Sequence, residues 1–323
     1  MKTILITGIT GQDGLFLTKK YLEEFPEIKI IGVTRKTKNE LFFNRLKKLN
    51  IKNYDNISLL NVDLTNKNST KNFLEEIKPT YVVNLSGPSS VYESLLYPKK
   101  TIHQITMIFE NLTTSLIELN NLCNFFQSSS SEMYDSKLTG KLDEQSKMIP
   151  NSPYAEGKLY NHNKVITLSD KYNWNIVSGI MFNHESEFRD DSYLTSKIIN
   201  KAYKISKNQE STLTIGSLDY LRDWSFAGDI AEAIFKLIST DAKKDFVIGS
   251  GKSWYIRDLL EIIFSYFNLN YQNHTVVDRS LLRDGDPIQK LSNPEKIFNT
   301  CGWCYTMEFE DLIKRCIENK TLI

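Results

Sequence analysis

The glycines at positions 8, 11 and 14 constrain the fold more than any other feature of the sequence. They lie in the run Gly8-Ile-Thr-Gly-Gln-Asp-Gly14, which follows an apolar segment at 3–6 and opens a helical stretch that ends near Phe25. Glycines at a strand-to-helix turn let backbone amides approach a pyrophosphate at the amino end of the helix. The run therefore predicts a dinucleotide site, and a tight glycine-rich turn without a ligand is the alternative.

Short apolar segments alternate with helical stretches through much of the chain. Strands that are separated by helices imply right-handed crossovers and a parallel sheet. The predicted fold class is therefore α/β: a Rossmann-type, doubly wound parallel sheet with a smaller C-terminal substrate-binding domain. The predicted strands are residues 3–6, 29–33, 57–60, 81–85, 124–127, 175–181 and 246–248, with helices at 69–77 and 107–122 among those between them.

The regular alternation is interrupted from about Asn183, which indicates a second structural unit. A chain of 323 residues is long enough for one large domain or two smaller ones. We predict a dinucleotide-binding Rossmann domain made of residues 1–182 and 221–248. Residues 183–220 and 249–323 are predicted to form a smaller cap over the carboxyl edge of the sheet.

Composition argues against several classes of function. A formal net charge of +1 gives no electrostatic reason to expect binding to nucleic acid or to a membrane, and no apolar run is long enough to span a bilayer. The chain enters a strand directly, so no signal peptide is predicted. Cys301 and Cys304 form one close pair, which suits packing better than zinc binding, and no metal site is predicted. We expect a cytoplasmic protein in a reducing compartment.

The end of the second strand indicates which dinucleotide is bound. An acidic residue at this place would bind the ribose 2′-hydroxyl of NAD, but the sequence has Arg35 and Lys36 after Thr34. Two cations suit a 2′-phosphate, so NADP is predicted, and ordinary solvated charges are the alternative. Asp63, after the third strand, is expected either to contact the adenine or to cap the next helix.

A cluster of polar residues begins where the fifth predicted strand ends. Residues 127–132 read Gln-Ser-Ser-Ser-Ser-Glu, and Tyr154 and Lys158 follow, four positions apart at the start of a predicted helix. This spacing places the phenol and the ammonium on one helix face. A free phenol has a pKa of about 10, and the ammonium is expected to lower the pKa of Tyr154 so that it acts as a base. A surface helix turn without function is the alternative.

Five stretches, in order along the chain, are similar to the motifs of one family. They are Ile6-Thr-Gly-Ile-Thr-Gly-Gln-Asp-Gly14, Ser152-Pro-Tyr-Ala155, Phe182-Asn-His-Glu-Ser186, Leu221-Arg-Asp-Trp224 and Asp245-Phe-Val-Ile248. Together they resemble the extended short-chain dehydrogenases/reductases, and in detail the GDP-mannose 4,6-dehydratase family. The resemblance covers nearly the whole chain, although the region before Asp278 is shorter than the family leads us to expect.

The resemblance implies that a GDP-linked hexose is converted to its 4-keto-6-deoxy derivative by internal hydride transfer. Tyr154 would take the proton of the C4 hydroxyl, and Lys158 would hold Tyr154 as phenolate. Ser130 stands where the family has a threonine that bonds the 4-oxygen of the sugar. Glu132 stands at the acid/base position, which a sugar epimerase of the same superfamily is expected to lack. A helix-start carboxylate favoured by the helix dipole is the alternative for Glu132.

Two binding sets are also implied by the resemblance. Arginines would bind the pyrophosphate through charge-assisted hydrogen bonds, Lys197 would lie near the guanine, and Asp286 replaces a family glutamate on the ribose. Surface solvation is the alternative for Lys197 and the arginines. The implied cofactor set is Gly8, Thr10, Gly11, Gln12, Asp13, Gly14, Arg35, Lys36, Asp63, Leu64, Leu85, Tyr154 and Lys158. The implied substrate set is Ser89, Ser90, Glu132, Asn183, Lys197, Arg222, Arg283 and Asp286.

Two loops depart from the family pattern. Residues 86–90 read Ser-Gly-Pro-Ser-Ser where the family has Gly-Ala-Gln-Ser-His, and residues 187–191 read Glu-Phe-Arg-Asp-Asp where Pro-Arg-Arg-Gly-Glu is expected. We take these departures to favour another GDP-hexose, namely GDP-N-acetylglucosamine, as used in bacterial legionaminic acid and surface glycan synthesis. GDP-mannose is the alternative substrate. A nucleotide-sugar epimerase or reductase and a non-catalytic NADP-sensing module are the further alternatives.

Residues 37–49 bear on assembly. In the resembled family this segment reaches the cofactor site of a neighbouring subunit, which implies a homo-oligomer, either a dimer or a tetramer. Here it carries Phe42, Phe43 and Arg45. An amphipathic helix that packs on its own sheet is the alternative.

Overall fold

Strand β1, Thr3–Thr7, is an inner strand of the main sheet, and its last four residues are buried. Ile4, Leu5 and Ile6 are fully buried, as expected for an inner strand of a parallel sheet that is covered on both sides. The computed structural model describes residues 2–34, 39–282 and 285–320.

The strands and helices alternate through most of the described chain. The strands are β1 (Thr3–Thr7), β2 (Lys29–Val33), β3 (Ile57–Leu60), β4 (Tyr81–Asn84), β5 (Asn124–Ser130), β6 (Lys141–Leu142), β7 (Ile176–Met181), β8 (Asn183–Glu185), β9 (Leu213–Ile215), β10 (Leu221–Arg222), β11 (Trp224–Phe226), β12 (Lys244–Ile248), β13 (Trp254–Tyr255), β14 (Thr275–Val277) and β15 (Gln289–Ser292). The helices are α1 (Gln12–Glu24), α2 (Asn39–Lys48), α3 (Lys67–Ile77), α4 (Val91–Leu96), α5 (Pro98–Glu118), α6 (Pro153–Tyr172), α7 (Leu194–Ser206), α8 (Ala227–Ile238), α9 (Ile256–Tyr266), α10 (Glu295–Cys301) and α11 (Phe309–Asn319).

Among the described residues, seven strands form one sheet in the order β12-β7-β5-β4-β1-β2-β3. Every neighbouring pair in this sheet is parallel. The strand order reverses between β1 and β4, and open sheets of this kind bind ligands at the carboxyl ends of the strands beside such a reversal. The predicted α/β fold class is therefore confirmed, and each predicted strand lies in this sheet.

Helices cover both faces of the sheet. On one face α1 and α8 contribute the buried residues Leu15, Leu17 and Ile234, which pack with Ile4 and Ile6 of β1. The other face is covered by α3, α5 and α6, whose buried residues pack on Leu5, Val82 and Phe125; they include Leu74, Phe109, Leu112 and Val165. Helix α2 packs on the first face through Phe42 and Leu46. The described part of segment 37–49 therefore forms the amphipathic helix that was named as the alternative.

Smaller sheets lie beyond the carboxyl edge of the main sheet. Four short strands pair in the order β13-β10-β15-β6, β8 pairs with β11, and β9 pairs with β14. A separate apolar cluster joins α7, α9 and α11 around Trp224, Leu260 and Ile313. Strands β6 and β10, which the predicted division assigns to the dinucleotide-binding unit, belong to the four-stranded sheet. The division into two domains stays a prediction.

Several predicted boundaries differ from the structure, and two of the differences have local reasons. Strand β5 continues past residue 127 to Ser130 because the serines are buried and pair with β7. The helix predicted at 107–122 begins earlier, with Pro98 in its first turn, and ends at Glu118, since proline is well tolerated at the start of a helix. No helix within the described residues is both long and apolar enough to cross a membrane.

Candidate active site

The glycine turn between β1 and α1 has the shape of a phosphate cradle. Gly8 has a φ of +70°, and a Cβ there would lie 2.8 Å from the carbonyl oxygen of Leu85. A Cβ on Gly14 would lie 2.6 Å from the Cα of Ile9, so this glycine lets α1 pack closely on the turn. Gly11 is exposed and caps α1 without a side-chain hydrogen bond. The first amides of α1 have no partner within the helix, and the residues present fit a dinucleotide pyrophosphate.

Two other residues of the predicted cofactor set contact the segment that follows β7. Gln12 Nε2 donates to the carbonyl of His184 at 3.0 Å, and Ser186 Oγ donates to Gln12 Oε1 at 2.8 Å. Asp13 Oδ1 lies 3.0 Å from His184 Nε2. Burial acts to raise the pKa of Asp13, but the charges of His184 and Arg189 outweigh it and lower the pKa. Gln12 and Asp13 therefore tie the cofactor turn to the segment predicted to hold substrate.

The remaining predicted cofactor residues occupy strand ends and loops. Arg35 and Lys36 lie outside the described residues. Asp63 Oδ1 accepts hydrogen bonds from the amide of Thr65 at 2.9 Å and from its hydroxyl at 2.6 Å. The predicted alternative that Asp63 caps the next helix is wrong, because Asn66 caps α3. Leu64 is buried, Gly8 and Thr10 belong to the turn itself, and Leu85 lies against Gly8.

The catalytic candidates lie at the end of β5 and in the first turns of α6. Ser152 caps α6 by accepting a hydrogen bond from the amide of Ala155 at 3.2 Å, and Pro153 opens the helix. Lys158 Nζ donates to the carbonyl of Ser128 at 2.8 Å and to its hydroxyl at 3.1 Å. The same Nζ lies 5.7 Å from the centre of the Tyr154 ring. The helix thus holds the phenol and the ammonium beside the serines of β5, as the spacing predicted.

The expected lowering of the Tyr154 pKa is wrong for the protein by itself. Burial raises the pKa of the Tyr154 phenol well above its usual range, and Glu132 and Tyr193 raise it further. Contact with the Ser130 hydroxyl acts in the opposite direction but is outweighed. Burial also lowers the pKa of Lys158 to about 8. Both groups are desolvated together, so each resists its charged form.

A ladder of side-chain hydrogen bonds fixes the strand ends beneath these residues. Thr7 Oγ1 donates to Asn84 Oδ1 at 2.6 Å, and Asn84 Nδ2 donates to Gln127 Oε1 at 2.7 Å. Gln127 Nε2 then donates at 2.9 Å to the Ser128 carbonyl, which also accepts from Lys158. These hydrogen bonds connect β1, β4 and β5, so the position of Lys158 depends on how the three strands pair. Buried polar groups are normally satisfied in this way.

Glu132 begins a short 3₁₀ helix, Ser131–Met133, immediately after β5. Its amide donates to Ser130 Oγ at 3.2 Å, and its charge acts on Tyr154. The carboxylate is also hydrogen-bonded to Lys290 of β15. Sequence reasoning missed Lys290, since a lysine among polar residues of a short strand gives no signal of burial. Yet only 5 % of Lys290 is exposed.

The predicted pyrophosphate and ribose ligands interact with each other. Arg222 Nη2 lies 3.3 Å from Asp286 Oδ1, and Arg222 Nη1 donates to the carbonyl of Pro287 at 2.9 Å. Arg222 is 8 % exposed. Its neighbour Asp223 is a buried carboxylate that binds the loop after β12 and the end of β15. Arg283 lies outside the described residues, and the ligand roles of this group stay predictions.

The other predicted substrate residues have different surroundings. Ser89 Oγ lies 2.7 Å from the hydroxyl of Tyr193, a residue that sequence reasoning missed. The Arg189 guanidinium lies 3.6 Å from the centre of the Tyr193 ring, and both residues act on Tyr154. Ser90 caps α4 by accepting from the amide of Glu93 at 3.1 Å. Asn183 is half-buried in β8 and Lys197 is exposed on α7.

The fold and this arrangement define a class. A tyrosine and a lysine one helical turn apart, beside a hydroxyl at the carboxyl edge of a doubly wound sheet, constitute the site of an extended short-chain dehydrogenase/reductase. An open cleft elsewhere on the surface is lined by Asp143, Glu144 and Lys296. It contains none of the predicted catalytic residues, so we place the site where the reactive side chains converge.

Comparisons with known proteins identify the family. The family profile of GDP-mannose 4,6 dehydratase matches residues 5–316. GDP-mannose 4,6 dehydratase 1 of Arabidopsis thaliana is 30% identical over 98% of this chain and 89% of that protein. The human GDP-mannose 4,6 dehydratase is 34% identical over 80% of this chain and 71% of that protein. This chain belongs to the GDP-mannose 4,6-dehydratase family, and it is a nucleotide-sugar 4,6-dehydratase that uses NAD or NADP.

A solved structure supports the fold independently. The dTDP-glucose 4,6-dehydratase of Bacillus anthracis superimposes with a TM-score of 0.83 at 18% identity, over 99% of this chain and 96% of that chain. At this identity the likeness concerns the fold alone. Among the predicted substrates, the names of the relatives favour GDP-mannose, the stated alternative, over GDP-N-acetylglucosamine.

Proposed function

We propose that this protein converts a GDP-linked hexose, GDP-mannose in the first place, to its 4-keto-6-deoxy derivative. The observation that carries the proposal is the convergence of Ser130, Glu132, Tyr154 and Lys158. A phenol and a carboxylate that act on each other from separate elements can serve adjacent carbons of one sugar ring. Family membership supports the same reaction.

The residues take part in a fixed order. Tyr154 accepts the proton of the C4 hydroxyl as C4 is oxidised, and Ser130 donates a hydrogen bond to the resulting 4-oxygen. The C4 ketone acidifies the C5 hydrogen, and Glu132 takes that proton. Glu132 then gives a proton to the C6 oxygen, the C6–O bond breaks, and water leaves. C5 and C6 are thereby joined by a double bond, and Glu132 is again a carboxylate.

When bound, the dinucleotide would supply the hydride chemistry: it would take hydride from C4 and give it back to C6 while C5 takes up a proton, formally the one that Tyr154 removed, so that the cofactor and the side chains would be restored in each turnover. The chain's own part is to seat the pyrophosphate on the amide end of α1 and to hold the nicotinamide ribose with Lys158 and Tyr154. A nearby cation favours a phenolate, and burial has already lowered the pKa of Lys158 to about 8. Lys158 must therefore be protonated when it supports Tyr154.

NADP is the proposed dinucleotide because Arg35 and Lys36 follow β2 where an NAD site would have a carboxylate. Replacing Arg35→Asp should shift the preference from NADP towards NAD. The ratio of the two dissociation constants, measured by titration of cofactor-stripped protein, gives the answer. An unchanged ratio would argue against a 2′-phosphate site.

The substrate proposal is tested with a panel of GDP-mannose, GDP-N-acetylglucosamine and UDP-N-acetylglucosamine. We expect GDP-mannose to give a nucleotide sugar that is lighter by one water and reacts as a ketone. Preference for GDP-N-acetylglucosamine would instead indicate that the divergent loops select the hexose. Ser89 and Arg189 of these loops both contact Tyr193. Product from neither GDP sugar would contradict the proposal.

The role of Glu132 is tested by Glu132→Gln. This variant should oxidise C4 in a single turnover, seen as reduced nicotinamide, but should form the keto-deoxy product about 10²–10⁴-fold more slowly because the proton acceptor is lost. Glu156→Gln is the matched control, since Glu156 is exposed on the first turn of α6. Normal product formation by Glu132→Gln would remove Glu132 from the mechanism.

The predicted division of labour between two domains is part of the same proposal. Residues 1–182 and 221–248 would hold the dinucleotide, and residues 183–220 and 249–323 would hold the GDP sugar. The charged contacts of Asp286, Lys290 and Arg222 at the four-stranded sheet support a polar ligand on that side. A homo-oligomer is proposed from the family resemblance, and sedimentation velocity would test it.

A further inference from the structure

Lys290 is a buried cation that contacts the proposed acid/base residue. Its side chain is 6 % exposed, and its ammonium is hydrogen-bonded to the Glu132 carboxylate, whose side chain is 17 % exposed. Glu132 comes from the end of the large sheet, whereas Lys290 comes from β15 of the small one. Lysine is almost never fully buried unless it is paired. Its burial is therefore explained by the pairing with Glu132, and the effect of that pairing on Glu132 is the question.

The backbone around Lys290 is held from both sides. Lys290 lies opposite Arg222 in the parallel pairing of β15 with β10, and its carbonyl accepts from the amide of Asp223 at 3.0 Å. The amide of Ser292 donates to Asp223 Oδ2 at 3.1 Å, and its hydroxyl donates to the same oxygen. Residues 290 and 292 point to the same side of the strand because side chains alternate along it. Asp223 thus fixes the register that aims Lys290 at Glu132.

We propose that Lys290 is a positioning residue for the dehydration step, which keeps the Glu132 carboxylate ionised and oriented until it takes the C5 proton. The inference rests on the proposed function and deepens it. Lys290 need not touch the sugar. It acts through Glu132, which remains the group that transfers the proton.

The path of the proton shows at which steps such a cation stabilises Glu132. The C5–H bond breaks and an O–H bond forms on Glu132; that O–H bond then breaks as the proton passes to the C6 oxygen and water departs. An adjacent ammonium stabilises the carboxylate at the beginning and at the end of this sequence. It therefore ensures an ionised base at neutral pH and promotes release of the proton to the leaving oxygen.

The other charged groups around the pair belong to several elements. Arg222 of β10 and Asp286, which precedes β15, act on Lys290. From α6, Tyr154 faces Glu132, and Arg189 and Tyr193 act on Tyr154 in turn. Burial lowers the pKa of Lys290, and Glu132 opposes that shift. Lys290 is hydrogen-bonded to the acid/base carboxylate itself.

The test compares pH profiles of turnover for the parent holoenzyme, Lys290→Met, Lys290→Arg and Lys296→Met. Loss of an adjacent positive charge raises the pKa of a carboxyl group by about 1–3 units. The acid limb of the profile should therefore move up by about one unit or more in Lys290→Met, and stay near the parent in Lys290→Arg. Lys296→Met is the matched control, because Lys296 pairs with Asp245 instead. Superimposable profiles for the parent and Lys290→Met would overturn the proposal.

A single-turnover readout separates positioning from mere structural support. In Lys290→Met, reduced nicotinamide should form at the parent rate and persist longer, since C4 oxidation precedes the step that needs Glu132. An equal slowing of C4 oxidation and dehydration would overturn the assignment. If the methionine variant does not fold, Lys290→Gln, which keeps a hydrogen-bond donor without the charge, is measured in its place with the same expected shift.

A stability cycle keeps the inference testable if the parent dehydrates no GDP sugar, an outcome that contradicts the proposed function itself. Urea unfolding is measured for Glu132→Gln, Lys290→Met, the double variant and the parent. The double variant should be destabilised by less than the sum of the single variants, because each single change leaves its partner buried without its opposite charge. Additive effects would show that the two side chains are not coupled and would overturn the inference.

Discussion

The strands at the centre of the large sheet and those of the four-stranded sheet differ in what surrounds them. Around β1 the buried side chains are Ile4, Leu5 and Ile6. Beside β15 the buried groups are Lys290 and Ser292, with Arg222 on the neighbouring strand. Apolar burial is non-directional and tolerates many arrangements, whereas a buried ion pair is favourable only in good geometry. The large sheet therefore supplies the frame, and the small sheet supplies charges that must be placed accurately.

The two proposed ligand sites also differ in the groups that form them. At the glycine turn, backbone amides and the space left by absent side chains form the site, as the close approach of Gly8 to Leu85 shows. At the small sheet, side chains such as Arg222 and Asp286 carry the charge and bind each other. A backbone site depends on local geometry, and a side-chain site depends on pairing between distant segments. The two sites should consequently respond to different mutations.

The largest effect is expected on the rate of C4 oxidation when Tyr154 is replaced. Tyr154→Phe removes the base without a change of shape, so C4 oxidation should slow by about 10²–10⁴-fold. Single-turnover formation of reduced nicotinamide measures this step. Tyr160→Phe is the control, since Tyr160 lies on the same helix with an exposed side chain, and it should stay within about twofold of the parent. Oxidation at the parent rate in Tyr154→Phe would mean that another group takes the proton.

The next prediction breaks the small sheet alone. Asp223 accepts hydrogen bonds from the amides of Ser250, Gly251 and Ser292 and from two hydroxyls. In Asp223→Asn an amide N–H₂ would face donors, so the free energy of unfolding should fall by about 2–4 kcal/mol. Urea unfolding measures this loss.

Asp219→Asn serves as the control for that prediction. Asp219 forms an exposed ion pair with Arg257 at 2.6 Å, and exposed pairs contribute little. Its substitution should therefore change the free energy of unfolding by no more than about 0.5 kcal/mol. If both variants lost the same free energy of unfolding, the hydrogen bonds of Asp223 would stabilise the fold no more than an exposed ion pair does.

A smaller effect is expected when the backbone site is broken. Gly8→Ala meets both a φ of +70° and a contact of 2.8 Å with Leu85, so the turn must shift and affinity for NADP should fall by about tenfold, which corresponds to about 1.4 kcal/mol. Gly140→Ala has a comparable φ of +83° but nothing within 4 Å. It should bind NADP as the parent does. Equal affinities for the two variants, measured by titration, would refute the proposed cradle.

The last prediction concerns the pH dependence of stability. Burial lowers the folded-state pKa of Lys158 to about 8, below the unfolded value of about 10.4. Between these values the unfolded chain binds more protons, so this lysine makes the free energy of unfolding rise with pH, by about 3 kcal/mol over the whole interval. The rise should disappear in Lys158→Met and remain in Lys164→Met, whose lysine is exposed on the same helix. A rise that persists in Lys158→Met would contradict the burial effect.

Local patterns predicted much of this molecule for identifiable reasons. The run 29–33 coincides with β2, whose last four residues are buried, because strands that are buried on both faces are continuously apolar. The run 57–60 coincides with β3, the partly exposed edge strand of the sheet. The Tyr154–Lys158 spacing placed both groups on one helix face, which the structure confirms. Ser130 to Glu132 also lie at the strand end, as predicted, although β5 is longer than its apolar part.

Other features were not predictable from local patterns. In the sequence, Lys290 resembles an ordinary solvated lysine. Asp223 belongs to the motif Leu221–Trp224, in which the predicted binding role was assigned to Arg222. The phenol of Tyr154 was expected to be acidified by Lys158, but the desolvation that raises its pKa depends on everything packed around it. Each case depends on contacts between residues that are far apart in sequence.

The sequence by itself determined the parallel sheet, the glycine turn and the residues proposed to perform the chemistry, because these follow from hydrophobic period, backbone freedom and spacing within a single helix. Only the tertiary structure decided which charges meet. The pairing of Glu132 with Lys290 joins two sheets, and burial determines the pKa directions of Tyr154 and Lys158. Electrostatic energies depend on distance and on exclusion of water, and neither is a property of a local stretch of chain.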